Sequence, residues 1–135
     1  MAGHLLTNRV ANPVLRRVLR TRLGRRLGRG LAVLRYTGVR TGRPHELVCQ
    51  YARDGASVWV LVGDAEHKTW WRNLRSPAPV ELWLAGEHVR ATAVALPSTG
   101  EEGAAGLSVY LAAVPAARRA VGPEGVTMVR ADVVG

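Results

Sequence analysis

Few residues of this chain have the types and spacing that enzyme chemistry usually needs. The four histidines are His4, His45, His67 and His88. No two of them have the spacing of metal ligands on one helix, and the single cysteine, Cys49, excludes a thiolate metal site. No serine lies in a nucleophile-elbow pattern, and Walker and Rossmann glycine loops are absent. An enzyme of this composition would need a bound cofactor for the difficult step, and no metal site is predicted.

The segment from Gly38 to His45 has the composition of an anion-binding turn. It reads Gly-Val-Arg-Thr-Gly-Arg-Pro-His. Its two glycines let backbone N–H groups approach a ligand, while Arg40 and Arg43 supply positive charge and Thr41 supplies a hydroxyl. On spacing alone, the simpler interpretation is a solvated hairpin turn.

The segment from His67 to Arg75 places two adjacent tryptophans among cations. It reads His-Lys-Thr-Trp-Trp-Arg-Asn-Leu-Arg. On a short helix, Trp70 and Trp71 would be able to line a groove for an aromatic ring. The alternative, favoured by the pattern alone, is that one indole packs in the core and the other is partly exposed.

The hydrophobic pattern predicts the elements that must position these two segments. Six short strands are predicted, at 31–37, 46–52, 57–62, 80–84, 88–96 and 126–134. A short helix is predicted over 67–75. Another begins at Ser98 or Thr99, where Thr99 and Glu102 fit a capping box. That helix is expected to turn four side chains inward: Leu107, Tyr110, Leu111 and Val114.

The first 30 residues form a basic arm. They contain eight arginines and no acidic residue, so they carry +8 of the net charge of +9. Asn12 and Pro13 predict a helix start, and the apolar residues that follow recur every three or four positions. The helix is expected either to pack on the rest of the protein or, through residues 12–29, to bind an anionic membrane surface. Nucleic-acid binding is the least favoured reading, because no recognition motif accompanies the charge.

The remainder, residues 31–135, is expected to form one domain. Its strands are short and mostly linked by hairpins, so the sheet should be mainly antiparallel and should curl into a barrel to avoid exposed edges. Cys49 is predicted to be a packed core residue. No secretory signal and no apolar run of about 20 residues is present, so the expected location is the cytoplasm, with peripheral attachment to the inner face of the membrane as an extension.

In this order, the two segments resemble motifs of the deazaflavin (F-420)-dependent nitroreductase family. These enzymes belong to the split β-barrel flavin and deazaflavin oxidoreductases. The family has a Gly-Arg-Lys-Ser/Thr-Gly-x-Pro-Arg loop and a His-Pro-x-Trp-Tyr-x-Asn-Leu helix, and the similarity covers residues 30–96 well. The resemblance implies an α+β fold: a six-stranded, mainly antiparallel split β-barrel of the FMN-binding type, with the N-terminal amphipathic helix and two further short helices.

The resemblance also implies which residues bind the coenzyme. The residues implied to hold its phosphate and acidic tail are Arg40, Thr41, Gly42, Arg43 and His45. Those implied to flank its tricyclic ring are Val62, Gly63, Lys68, Trp70, Trp71 and Asn73. Val39 and His45 replace family arginines, and Arg43 is expected to compensate for part of that lost charge.

The implied activity is hydride transfer from reduced F-420 to a quinone-like or other small organic acceptor. Nitroreduction itself is not favoured, because the family's tyrosines near the final helix are missing and only Tyr110 remains as a candidate substrate contact. Two alternatives stay open: a non-catalytic protein that binds a cofactor or a lipid, and a relative that depends on FMN. The chain is expected to be a monomer or a homodimer.

Overall fold

Residues 30–134 are described in the computed structural model of the chain. Within them, seven strands form one sheet in the order β2-β1-β5-β6-β7-β4-β3. The strands are β1 (Leu31–Thr37), β2 (Pro44–Gln50), β3 (Ala52–Asp54), β4 (Ser57–Val62), β5 (Ala78–Leu84), β6 (Glu87–Pro97) and β7 (Thr127–Val133). One α-helix, α1 (Glu101–Ala113), and three 3₁₀ helices (Ala65–His67, Trp70–Leu74 and Pro115–Ala120) complete this part of the chain. The predicted α+β class with a mainly antiparallel sheet is confirmed.

The chain divides into two compact units. Among the described residues, the first unit contains 30–50, 79–91 and 134, and the second contains 51–78 and 92–133. Strand β6 contributes its first half to the first unit and its second half to the second.

The first unit is built on the β1–β2 hairpin. The two strands pair antiparallel from Leu31 opposite Gln50 to Thr37 opposite Pro44, and β1 also pairs antiparallel with β5. Val33 and Leu34 are both 0% exposed. Because consecutive strand residues point to opposite faces, both faces of β1 are buried. Strand pairing and burial therefore fix the positions of the two strand ends that the β1–β2 turn connects.

The second unit packs α1 against β3, β4 and β7. Gly103, Gly106 and Tyr110 are the buried residues of the helix. A Cβ atom on Gly106 would overlap the Trp59 ring, and one on Gly103 would overlap the backbone of Pro97. Three of the residues predicted to face inward pack in this core: Leu107, Tyr110 and Val114. The two glycines, which the hydrophobic pattern does not reveal, let the helix approach its neighbours closely.

The described residues form seven strands, whereas six were predicted, because one predicted strand is divided. The segment 46–52, predicted as a single strand, is divided at Tyr51 into β2 and β3. Strand β2 pairs with β1, whereas β3 pairs with β4. The pairing partner therefore changes from β1 to β4 at Tyr51. The continuous run of apolar residues across 46–52 gives no sign of this change. The Asp54-Gly55 hairpin between β3 and β4 is as predicted, with Gly55 at a positive φ of 62°.

The predicted cap of the helix after β6 is wrong. Helix α1 begins after Gly100, and no side chain caps its first turn. The Ser98 hydroxyl instead accepts a hydrogen bond of 2.8 Å from the Val126 N–H, and the Ser98 N–H donates to the Val126 carbonyl. Ser98 therefore tethers the chain before β7, so its hydroxyl does not cap the helix.

The basic arm and its predicted helix lie outside the described residues. Its proposed packing and its proposed contact with a membrane surface therefore stay predictions. Across residues 30–134, no helix combines the length and the apolar character that a membrane crossing requires.

Cys49 is a core residue, and this leads to a prediction. It lies on β2 with 1% exposure, and burial raises the pKa of its thiol to about 12. We expect no labelling of the native protein by Ellman's reagent at about pH 8, and full labelling of the same sample in denaturant. Because the pKa of the thiol is higher in the folded than in the unfolded state, this group contributes its full share of folding stability below a pH of about 8.5, where the unfolded thiol begins to ionise. That contribution is lost as the pH rises from there toward the folded-state pKa of about 12. Rapid labelling of the native protein would contradict the burial.

Candidate functional site

The turn between β1 and β2 is closed by its own backbone. The Gly38 N–H donates to the Arg43 carbonyl and the Gly42 N–H donates to the Gly38 carbonyl, both at 2.9 Å. The Arg43 N–H donates to the Thr41 hydroxyl at 3.2 Å. Gly42 has a φ of 69°, which a side chain would oppose. The backbone of the turn is therefore pre-formed, and it fixes the points from which the side chains extend.

Two polar side chains converge beside Gly38. A Cβ atom on that glycine would lie 2.9 Å from the Thr41 hydroxyl oxygen and 3.2 Å from His45 Nε2. The His45 ring is held by stacking on Tyr36, with centroids 5.4 Å apart and planes inclined by 25°. Because Gly38 has no side chain, the Thr41 hydroxyl and the His45 ring can pack closely against its backbone. We refer to residues 38–45 as the arginine turn.

Arg40 and Arg43 are the cations of the arginine turn. Both are exposed, and in the part of the chain that the structure describes neither side chain has a carboxylate partner. Arg35, on the neighbouring strand, is different: its guanidinium lies 2.6 Å from Glu46 and 3.3 Å from Glu81. The structure therefore leaves the charge of the turn uncompensated while neutralising that of the strand.

The tryptophan segment, residues 62–75, does not form the predicted helix over 67–75. It contains two 3₁₀ helices, Ala65–His67 and Trp70–Leu74. Between them Lys68 is extended, with φ −107° and ψ 143°. Nine residues are too few for a stable isolated helix, and the Thr and Trp residues here have modest helix propensity, so the local preference is weak. Tertiary contacts select two separate turns instead.

Trp71 joins these two turns. Its indole N–H donates to the Ala65 carbonyl at 3.0 Å. The guanidinium carbons of Arg72 and Arg75 lie 5.7 and 5.5 Å from the ring centroid, within cation–π range. Trp71 therefore organises the tryptophan segment, and any contact that it makes with a ligand adds to this structural role.

The other predicted ring-binding residues lie along the same segment. Val62 is buried at the end of β4, while a Cβ atom on Gly63 would meet nothing within 4 Å. Trp70 is half-buried, and the Asn73 amide donates to its carbonyl at 3.0 Å. Lys68 is half-buried as well, and burial lowers the pKa of its amine while the Asp64 carboxylate opposes that shift. The segment therefore has open space beside the backbone of Gly63 and a half-buried cation at Lys68.

Asp64 and His67 are two polar residues that the sequence analysis did not assign to the site. His67 Nδ1 lies 2.8 Å from Asp64 Oδ1. That hydrogen bond and the carboxylate charge raise the pKa of His67. In the sequence, this pair was indicated only by the Asp-x-x-His spacing of residues 64 and 67, within a predicted loop.

Tyr110, the candidate substrate contact, is a core residue. It is 4% exposed and packs with Trp59 and Met128 in the second unit. Its contact with a substrate stays a prediction. Of the predicted site residues, those at 40–45 share one turn of the first unit, and those at 62–73 share one segment of the second. In residues 30–134, no cluster of three His, Cys, Asp or Glu side chains suited to a metal ion is present.

Comparison with solved structures defines the class of fold. A structure described as an F-420-H2-dependent reductase (FDR-A) matches with a TM-score of 0.67 and 16% identity, covering 77% of this chain and 95% of that one. A structure described as a domain-swapped dimer matches with a TM-score of 0.66 and 15% identity, over 77% of this chain and 81% of that one. A heme-binding protein from Mycobacterium smegmatis matches with a TM-score of 0.59 and 21% identity, over 84% of this chain but 49% of that one. These likenesses support the predicted split-barrel type of fold.

The sequence model of the F-420H(2)-dependent quinone reductase family matches residues 8–130. The chain belongs to that family. It is an F-420-dependent oxidoreductase, and F-420 is its coenzyme. None of the curated proteins matches the chain.

Proposed function

We propose that this oxidoreductase reduces a quinone and that the arginine turn holds the anionic part of F-420. The observation that carries the assignment is a pair of exposed arginines on a pre-formed turn, neither of which has a carboxylate partner among residues 30–134. The family match supports the quinone as acceptor.

The chemistry of the turn fits an anionic ligand. Guanidinium groups bind phosphate and carboxylate oxygens through charge-assisted hydrogen bonds. The Thr41 hydroxyl and a ring nitrogen of His45 lie next to each other beside Gly38 on the same turn. Arg40, Arg43, Thr41 and His45 would therefore hold the phosphate and the acidic tail. Because the turn is closed by backbone hydrogen bonds, little conformational entropy is lost when it binds.

The tryptophan segment fits the flat part of the coenzyme. We assign the backbone at Gly63, the indole of Trp70 and the cation of Lys68 to the tricyclic ring. When bound, the coenzyme supplies a hydride to the acceptor. The chain binds both molecules and orients them.

The test is a binding and turnover assay on the purified full chain. We expect quenching of F-420 fluorescence on titration with protein, and oxidation of reduced F-420 when a soluble naphthoquinone such as menadione is added. FMN and haem are titrated in parallel, and heat-denatured protein is the control. Binding of F-420 without any quinone reduction would contradict the reductase and support a carrier. Failure to bind F-420, with tight binding of FMN or haem, would overturn the assignment of the coenzyme.

A further inference from the structure

Quinone reduction needs a proton as well as a hydride. Hydride addition to a quinone leaves a hydroquinone anion, whose oxygen must be protonated before a neutral product can leave. A side chain that delivers this proton must present a free donor and must be held in a fixed orientation. A histidine of the tryptophan segment satisfies both conditions.

His67 meets both. Its Nδ1 faces the Asp64 carboxylate at 2.8 Å, and its backbone N–H donates to the Asp64 carbonyl at 3.1 Å. A carboxylate is only an acceptor, so Nδ1 carries a proton and Nε2 is the remaining nitrogen. The side chain is 76% exposed, and Nε2 has no hydrogen-bond partner within residues 30–134. A carboxylate that orients an imidazole in this way is the arrangement used by catalytic histidines.

The backbone at Asp64 has a defined left-handed conformation. Among the described residues other than glycine, only Asp64 and Ala85 have positive φ, at 56° and 51°. Ala85 lies in the two-residue turn between β5 and β6, where such angles are required. Asp64 lies in the turn that leads from β4 into the first 3₁₀ helix. Aspartate adopts left-handed backbone more readily than most residues, so this turn places the Asp64 carboxylate at low cost.

The position of His67 is also coupled to the tryptophans. The Trp71 indole N–H donates to the Ala65 carbonyl, which belongs to the same 3₁₀ helix as His67. That bond fixes the turn carrying the histidine against the turn carrying Trp70 and Trp71. The imidazole is therefore held beside the segment assigned to the coenzyme ring.

We propose that His67 donates the proton to the reduced quinone and that Asp64 is its positioning residue; this rests on the proposed quinone reductase function. The hydride adds to the quinone and forms a hydroquinone anion. The Nε2–H bond of the His67 imidazolium breaks, and the new O–H bond completes the hydroquinone. Oxidation of the reduced coenzyme releases one proton to solvent, and His67 takes up one from solvent. The quinone is reduced by two electrons, the coenzyme is oxidised by two, and protons balance.

The charges around His67 favour the protonated form that the step requires. The hydrogen bond to Asp64 and the charges of Asp64 and Glu66 raise the pKa of His67. Lys68, the next residue, is the neighbouring cation. Because the folded-state pKa is raised, the imidazolium persists to a higher pH than that of a free histidine. Turnover limited by this proton should be full at low pH and should fall as the pH rises through the pKa of His67.

The experiment compares His67→Gln and Asp64→Asn with His88→Gln. His88 is a matched control, because it is also an exposed histidine paired with a carboxylate, Glu81, at 2.9 Å. We expect His67→Gln to lower kcat with menadione about 100-fold or more, the usual range for a lost general acid, and to remove the alkaline fall of the kcat profile. Asp64→Asn should move that fall to lower pH, and NMR titration of the His67 ring should show the same downward shift of its pKa without coenzyme. His88→Gln should match the wild type.

The outcomes separate the two proposals. Coenzyme binding by His67→Gln should stay within about twofold of the wild type, since the role assigned to this residue follows binding. A wild-type protein that turns over, together with a His67→Gln variant of equal kcat and unchanged pH profile, would overturn the role of His67 alone. A wild-type protein that binds F-420 but reduces no quinone would overturn the reductase, and with it the proton donor.

Discussion

Replacing Arg40 with alanine is expected to weaken F-420 binding about 10- to 150-fold, which corresponds to about 1.5–3 kcal/mol for a lost hydrogen bond to a charged group. The reason is that Arg40 has no carboxylate partner within the described residues, so its whole charge is available to an anionic ligand. Arg35 would not serve, since Glu46 and Glu81 already neutralise it. The turn itself should survive the substitution, because backbone bonds from Gly38 and Gly42 close it.

The measurement is a fluorescence titration of F-420 with the Arg40→Ala variant and with Arg90→Ala. Arg90 is an exposed arginine of the first unit that has no role in the proposed site, so it controls for the loss of one unit of net charge. The affinity of the wild type should fall with added salt, and that of Arg40→Ala should fall less, because one screened interaction is already gone. Equal losses for Arg40→Ala and Arg90→Ala would mean that the turn attracts the coenzyme only through net charge.

Replacing Gly106 with alanine is expected to destabilise the protein by about 1–3 kcal/mol, the usual cost of overpacking a core. The added Cβ atom would overlap the ring of Trp59, which is 6% exposed and belongs to the core under α1. Helix propensity acts in the opposite direction, since alanine is favoured over glycine inside a helix by about 1 kcal/mol. Gly106→Ala should therefore lower the free energy of unfolding, although helix propensity alone predicts that it would raise it.

Urea unfolding of Gly106→Ala and of its neighbour Ala105→Gly tests this reversal. Ala105 is exposed on the same helix, so Ala105→Gly should cost only the propensity difference of about 1 kcal/mol. A Gly106→Ala protein more stable than the wild type would show that α1 shifts away from Trp59 with little loss. Such a result would contradict the close packing of this helix.

Local signals account for the parts of the fold that were predicted correctly. The Asp54-Gly55 pair identifies the β3–β4 hairpin, because positive φ at glycine is a local requirement of the turn. The Gly-x-x-x-Gly spacing with interleaved arginines identifies the arginine turn for a similar reason. Short apolar runs bounded by turn residues locate β1 and β4 with the bounds that the structure has. In each case the information needed lies within a few residues of the element itself.

Residues distant in the chain account for the parts that were missed. The break at Tyr51 arises because β2 and β3 pair with different strands, a choice no local pattern records. Ser98 fails to cap α1 because Val126, 28 residues away, takes its hydroxyl. The tryptophan segment forms two turns joined by the indole of Trp71, since the nine residues of the predicted helix, 67–75, have no strong helical preference of their own.

The amino-acid sequence by itself determined which groups this protein has, among them the cations of the arginine turn and the adjacent indoles. The order of these two segments along the chain carries the family resemblance that points to F-420. The tertiary structure decided which of these groups are free to act. It paired Arg35 with two carboxylates and gave Arg40 none within residues 30–134. It also engaged the Trp71 indole with the Ala65 carbonyl and placed His67 against Asp64. The physical reason is that charge and shape belong to the residues, whereas availability depends on the partners that folding brings to each side chain.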